Sequence, residues 1–336
     1  MDYRNLGQSG LKVSPICLGT MMFGDRTDVA EAGRIVASAR EAGVNFIDTA
    51  DVYAKGESER VTGKIIASDR DRWVLATKVA NPMGDDPNRR GTSRKWIMQA
   101  IDESLARLGT DYVDIYYLHR DIEETPIEET VGAMGDLIRA GKIRHFGVSN
   151  FRGWRIAELV HVCRGLAVPP PVVCQPYYHA MNRQPENDIL PACAHYGIGV
   201  VPYSPLARGV LTGKYQPGAA PEPESRAGRK DKRILETEFR EESLAIAQQV
   251  KAHAEKKGMA PGHLAFNWVL ANPIVSSVIA GPRTLEQWSD YLAALGRKFE
   301  ADDESLIDSL VRPGHPSTPG YNDPHYPLRG RPVRAG

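Results

Sequence analysis

Across 336 residues the chain carries 42 Lys plus Arg against 42 Asp plus Glu, for a formal net charge of zero, with 42 % hydrophobic and 25 % charged residues. That balance gives no basic footprint for nucleic acid or an anionic membrane surface, and it suits a soluble protein with a large core. Residues 1–5 lack an apolar signal core and no run approaches a membrane span; Cys17, Cys163, Cys174 and Cys193 show neither metal spacing nor disulfide density, as expected of a reduced, cytoplasmic protein.

The runs 3–6 and 12–14 flank Gly7-Gln8-Ser9-Gly10 and predict a β-hairpin. From there the chain alternates. Apolar, β-rich runs at 16–18, 44–47, 73–77, 112–118, 145–148, 172–174, 199–202 and 275–279 predict eight strands. Helical periodicity fills 29–42, 58–66, 94–108, 128–140 and 154–163 between them. Thr27-Asp28 and Ser93 suit helix N-caps, and Gly109 and Gly141 suit helix ends. Eight strand-helix units predict an α/β fold, a (β/α)8 TIM barrel with an N-terminal hairpin. The barrel is expected to carry a long insertion over 204–255, after strand 7, and a C-terminal extension. A single domain over 1–312 and a tail over 313–336 follow from this. The rival, an open doubly wound sheet, usually opens with Gly-x-Gly-x-x-Gly after its first strand, and that motif is absent. The stretch 216–232 is Pro-, Gly- and charge-rich and reads as a mobile loop, with the charges of 225–233 solvated or, as the alternative, latched over a bound phosphate. The tail holds Tyr321, His325 and Tyr326, aromatics that suit packing over the pocket or against a second subunit.

In such a barrel, chemistry belongs at the C-terminal strand ends and the loops after them. Those positions hold Asp48 and then Tyr53, Thr77-Lys78, His119, Ser149-Asn150, Gln175 and Tyr203-Ser204. Singly, each has an ordinary structural role: a turn former, a packed ring, a surface charge. Together, Asp48, Tyr53, Lys78 and His119 make one unit. A free phenol with pKa about 10 is a poor proton donor at neutral pH. A nearby ammonium is expected to lower that value, and a buried ammonium needs a carboxylate such as Asp48. A neutral imidazole then orients the substrate oxygen. The set stabilises negative charge growing on oxygen, and none of its members supplies a hydride, so a nicotinamide cofactor is implied.

In order and in surrounding words these residues resemble the catalytic tetrad of the aldo-keto reductases. The words are NFIDTADVY (45–53), VLATKV (74–79), DIYYLHR (114–120), GVSN (147–150), PYSPLARGVLTGKY (202–215) and IAGPRTLEQ (279–287). The start, YRNLGQSGLKVSPICLGTMMFG (3–24), is similar to the bacterial and potassium-channel β-subunit-like branch. The resemblance implies Tyr53 as proton donor, Lys78 and Asp48 as the pair that tunes it, and His119 as the carbonyl-orienting group. It implies nicotinamide contacts from Ser149, Asn150 and Gln175, with Tyr203 stacked on one ring face. Gly19, Thr20 and Met21 would line the cofactor at the first strand, with Ser204, Leu206, Gly209 and Lys214 along the pyrophosphate. Gly281, Arg283, Gln287 and Asp290 would hold the adenosine end. Arg283 near a helix start suits a phosphate and favours NADP over NAD. Where the family commonly ends this motif with Glu-Asn, the chain has Asp290-Tyr291, so weaker or differently made adenine contacts are expected.

The leading expectation is NADP-dependent reduction of a small-molecule aldehyde or ketone. The alternative is an NADP-binding, redox-sensing module of the channel β-subunit type with slow turnover. A third class, a barrel enzyme without a nicotinamide cofactor, is separated from both by an NADPH binding test. His161, His179, His195 and His253 show no HExxH spacing, so no metal is expected; an oligomer is compatible with the sequence.

Overall fold

The computed structural model describes residues 1–327. A two-stranded hairpin, β1 (Arg4–Asn5) and β2 (Lys12–Val13), pairs antiparallel with Arg4 opposite Val13. Eight parallel strands follow: β3 (Ile16–Gly19), β4 (Phe46–Asp48), β5 (Val74–Val79), β6 (Val113–Leu118), β7 (Ile143–Ser149), β8 (Val173–Gln175), β9 (Gly199–Val200) and β10 (Val278–Ala280). They lie in chain order, with β10 beside β3. The last seam closes by backbone bonds. Val200 bridges Val275, Ser276 N donates to Val200 O at 2.9 Å, and Ile279 N donates to Pro202 O at 3.0 Å. The expected strand at 199–202 is cut to two residues because Pro202 has no N–H to give the ladder. The chain stays extended beyond it, and Tyr203 bridges Tyr177.

Successive strand residues point to opposite faces. One set (Cys17, Phe46, Val74, Ala76, Ile115, Tyr117, Val173, Val201, Ile279) fills the barrel interior, plugged from below by Leu6 and Val13 of the hairpin segment. The other set (Ile16, Leu18, Ile47, Leu75, Val79, Tyr116, Leu118, Val148) packs under the helices. Two-residue steps along the interior set therefore lead to Gly19, Asp48, Lys78, His119, Gln175 and Tyr203 at the upper rim.

The helices are α1 (Val29–Glu41), α2 (Glu57–Ile66), α3 (Arg94–Leu108), α4 (Ile127–Arg139), α5 (Gly153–Gly165), α6 (Ile189–Tyr196), α7 (Lys232–Thr237), α8 (Glu241–Lys256), α9 (Pro261–Ala271), α10 (Leu285–Ala294) and α11 (Ala301–Leu310). Asp28 caps α1 through Glu31 N and Ser93 caps α3 through Trp96 N, satisfying free N–H groups of the first turn. Gly109 ends α3 in a left-handed conformation, φ 65°. Gly63 brings α2 against the end of α3 so closely that a Cβ would lie 2.1 Å from Leu108 O. No helix among the described residues is long and apolar enough to cross a membrane, and all four cysteines are free and buried.

The insertion over 204–255 contains a kinked 3-10 turn (Ala207–Thr212), α7 and most of α8. Its charges are not simply solvated, as the sequence suggests. Arg226 pairs with Asp231 at 3.1 Å, and Arg233 holds Asp323 through two bonds of 3.0 and 2.6 Å. Asp231, Arg226's partner, lies in the insertion itself, whereas the tail supplies Asp323 to Arg233. Ser317 N donates to Met181 O, Arg183 N to His315 O and Tyr321 OH to Glu236 O, while Arg240 stacks 3.8 Å over the Tyr321 ring. Arg152 then donates to Tyr326 O at 2.7 Å. The tail thus crosses loops that follow β7, β8 and β9; its end, 328–336, lies outside the described residues.

Candidate active site

The site sits on the upper rim, where inward-facing positions end in polar groups. Lys78, completely enclosed, has three protons and three acceptors: a carboxylate oxygen of Asp48, Thr49 O at 2.7 Å and Tyr53 OH at 3.3 Å. Asp48 uses its other oxygen to accept from Gln175 Nε2 at 3.0 Å. Burial opposes the ammonium, but Asp48 and Tyr53 outweigh it and hold Lys78 above its ordinary value. The ammonium also lies 4.8 Å from the Tyr53 ring centre.

Tyr53 arrives from the loop after β4. Ala54, Lys55 and Gly56 follow it with φ of 47°, 55° and 91°, a left-handed run that turns the chain into α2. Buried hydroxyls pin that loop: Ser58 Oγ lies 2.9 Å from both Thr20 Oγ1 and Thr49 Oγ1 and donates to Thr20 O at 2.7 Å. Since Tyr53 OH accepts from Lys78, its own proton is left for another acceptor. Here one expectation needs correction. Burial raises the phenol's pKa more than Lys78 lowers it, and Asp48 raises it further, so the net value lies above the ordinary one. Lys78 acts in the expected direction, but the enclosure of the ring is the larger effect.

The His119 ring stands edge-on to Tyr53, with centres 5.9 Å apart. Burial first, then the Lys78 and Arg120 charges, hold it well below the usual histidine value, so the ring is neutral. Asn81 Nδ2 lies 2.9 Å from its Nδ1, and Asn150 Nδ2 donates to its backbone oxygen at 2.9 Å.

Ser149, Asn150, Gln175 and Tyr203 form one connected group. Ser149 Oγ donates to Gln175 O, Asn150 Nδ2 to Ser149 Oγ, and Tyr203 OH to Asn150 Oδ1 at 2.8 Å. One face of Tyr203 is covered by Tyr177, 5.2 Å away and nearly parallel, whose hydroxyl donates to buried Glu238. Asn150 and Ser204 both hold φ near +60°, backbone strain that a binding site tolerates.

On the rim between β10 and β3, Gly19 and Gly281 stand side by side. The nearest atom to a Cβ on Gly281 would be Gly19 O at 3.9 Å, so Gly281 is open, whereas a Cβ on Gly19 would lie 2.8 Å from Ile279 Cγ2. Met21 beside it is exposed. Lys214 Nζ hangs over Gly209, 3.4 Å from where a Cβ would sit, and Leu206 packs against Gly262. Neither Lys214 nor Arg283 forms an ion pair among the described residues. Thr27 Oγ1 donates to Arg283 O, and Gln287 Oε1 accepts from Arg283 N at the start of α10.

Further along α10 the expected group separates. Asp290 pairs with His263 at 2.8 Å, and Tyr291 packs inward beside Phe266. Tyr291 is partly buried there, while the Asp290 side chain remains largely exposed. Residues unread in the sequence are Asn81, Tyr177, Glu238, Thr49 and Ser58. The two-residue step from Val173 through Gln175 points to Tyr177; Asn81 lies off the inward step of β5 and is marked only by its place in the loop after Lys78, and nothing in the sequence marks Glu238. His253, Asp302 and Asp303 bring ligand atoms within 4.8 Å of one another, but Lys257 Nζ already lies 2.8–2.9 Å from both carboxylates.

Comparison with known proteins follows the same lines. The Aldo/keto reductase family model matches residues 15–312. The chain is 39 % identical over 300 residues to a probable voltage-gated potassium channel subunit beta of Arabidopsis thaliana, covering 88 % of this chain and 91 % of that protein. A protein of the same description from Oryza sativa subsp. japonica is 38 % identical with the same coverage. An uncharacterized oxidoreductase of Bacillus subtilis, YrpG, is 36 % identical over 322 residues, 92 % of this chain and 96 % of that protein.

Proposed function

The chain belongs to the aldo/keto reductase family, oxidoreductases that act with a nicotinamide cofactor, and from that premise we propose that it reduces aldehydes or ketones to alcohols at the expense of NADPH. The observation that carries this reading is Lys78 Nζ divided among Asp48, Thr49 O and Tyr53 OH in a completely buried position. A charge enclosed at such cost has a use where negative charge develops on a neighbouring oxygen.

The residues fit the cofactor. The open position at Gly281 leaves room for it past Gly19, Thr20 and Met21, and the face of Tyr203 turned away from Tyr177 suits a planar ring. Ser149, Asn150 and Gln175, linked to the Tyr203 hydroxyl through Asn150, would hold a carboxamide. Lys214, with Ser204, Leu206 and Gly209, suits a pyrophosphate, and Arg283 suits the additional phosphate of NADP. Gln287 and Asp290 would serve the adenosine end; both, like Ser149, Asn150 and Gln175, also have a partner within the protein. When bound, the reduced nicotinamide supplies a hydride to the carbonyl carbon.

His119 Nε2 orients the carbonyl oxygen toward Tyr53. As the carbon–oxygen double bond opens, Tyr53 gives its proton to that oxygen, completing the alcohol. Lys78 stabilises the phenolate left behind, which regains a proton from solvent. The net change is one carbonyl, one NADPH and one proton converted to one alcohol and one NADP⁺. Four buried, free cysteines suit a reducing, cytoplasmic setting.

A panel of aldehydes, ketones and sugars with NADPH and NADH tests the reading. Steady NADPH oxidation matched by alcohol formation supports it; tight NADPH binding with negligible turnover favours instead a redox-sensing subunit; the plant relatives are named as probable voltage-gated potassium channel subunits beta.

A further inference from the structure

We propose that Asn81 fixes the tautomer of His119, so that Nε2 carries the proton offered to the substrate oxygen; this rests on reading the site as a carbonyl reductase. Asn81 Nδ2 can only donate, and at 2.9 Å it makes His119 Nδ1 an acceptor. A neutral imidazole with a lone pair on Nδ1 has its one hydrogen on Nε2. With the amide turned over, Nδ1 would hold the hydrogen, and Nε2 would set a lone pair against the carbonyl oxygen and compete for the Tyr53 proton.

The backbone is bent to make this contact. Ala80, between the end of β5 and Asn81, has φ 120°, where a side chain other than glycine's is strained. The strain is held by Gly91 N donating to Ala80 O at 2.8 Å. On the other side His119 is clamped, its N donating to Val79 O at 2.8 Å and its O accepting from Asn150. With both backbones fixed, the Asn81 amide governs what the ring presents. Asn81 is thus a positioning residue that acts through His119. The titratable groups facing the ring are Tyr53 from the loop after β4, Lys78 from β5 and Arg120 next in the chain. No carboxylate pairs with His119 among the described residues. Asn81→Asp would introduce an anion at Nδ1, draw the hydrogen there and raise the ring's affinity for a second proton.

The experiment uses the full chain, with ¹⁵N-labelled histidine and bound NADP⁺, read by long-range ¹H–¹⁵N correlation. His119→Gln assigns the signal. In the unsubstituted protein His119 is expected to carry its hydrogen on Nε2 alone across neutral pH. In Asn81→Asp the hydrogen moves to Nδ1. There kcat/KM for an aldehyde falls about tenfold or more at mildly alkaline pH and recovers toward acid as the imidazolium restores the Nε2 hydrogen, with NADPH affinity unchanged. A hydrogen on Nδ1 in the unsubstituted protein overturns the proposal, as does an Asn81→Asp protein with unaltered tautomer and pH profile. Absence of turnover in every form would count against the reductase reading instead, while the spectrum still decides the role of Asn81.

Discussion

Tyr53 accepts a hydrogen bond from Lys78 Nζ at 3.3 Å and has no other hydrogen-bond partner for its phenol oxygen among the described residues. The phenol is held protonated by its enclosure and stands next to the one charge able to stabilise its anion. A proton donor needs both conditions: it must hold the proton before reaction and bear its loss afterwards.

Lys78→Met leaves Asp48 buried without its cation. Removing one partner of such a pair is expected to cost about 3–5 kcal/mol of folding stability, measured by urea unfolding. Lys78→Met with Asp48→Asn should recover most of that loss and no reductase activity. If the double substitution is as unstable as the single one, the pair is not the unit described.

The pH dependence has a definite sign. His119 sits well below its ordinary value in the folded chain, mainly through burial. The unfolded chain takes up a proton near pH 6.5 where the folded one does not, so stability is full above about pH 6.5 and declines below it, by at most about 1.4 kcal/mol per unit from this group. Lys78, held above its ordinary value, contributes stability present below about pH 10.5 and lost as pH rises through its raised folded value. With Tyr53 also raised, kcat/KM for reduction should be level from about pH 6 to 9 and decline only on the alkaline side. A break near pH 6.5 that disappears in His119→Gln would show a titrating imidazole and contradict this.

Arg283 stands at the start of α10 without an ion pair among the described residues. Arg283→Met is expected to weaken NADPH binding by about tenfold to a hundredfold, the loss of a charge-assisted contact, and to leave NADH nearly unchanged. Quenching of tryptophan fluorescence reads both. Equal weakening of the two cofactors would place Arg283 elsewhere than on the distinguishing phosphate.

Tyr326 is carried to the mouth by the tail. Its ring centre lies 5.9 Å from the Arg120 guanidinium, next to His119, and its phenol is near enough to add to the raised values of Tyr53 and Tyr203. Tyr326→Ala should raise kcat/KM for bulky aromatic aldehydes several-fold relative to small ones, without changing NADPH affinity. An unchanged ratio would mean that the ring does not border the substrate.

Much of this was legible in the sequence for identifiable reasons. Parallel strands buried on both faces read as apolar runs, and caps such as Asp28, Ser93 and Gly109 mark where helices begin and end. Asp48, Lys78 and Gln175 stand out as a set, because polar residues recur at the end of one apolar strand after another, although each singly has an ordinary structural reading. Glu238 and Ser58 were not legible, since their roles depend on contacts across loops far apart in sequence. The net effect on Tyr53 was also out of reach: charge neighbours can be guessed from residue types, but burial of the ring is a property of the folded whole. For Tyr291, motif position gives no hint that the ring packs, partly buried, beside Phe266 of α9, while Asp290 pairs with His263 and keeps an exposed side chain.

The central claim, that Tyr53 gives the proton while Lys78 stabilises what remains, is tested most directly by mixing NADPH-loaded Tyr53→Phe protein with an aldehyde and following one turnover by stopped flow. The account predicts NADPH binding close to that of the unsubstituted protein, with hydride transfer slowed by about a hundredfold or more. Transfer at the unsubstituted rate would contradict it.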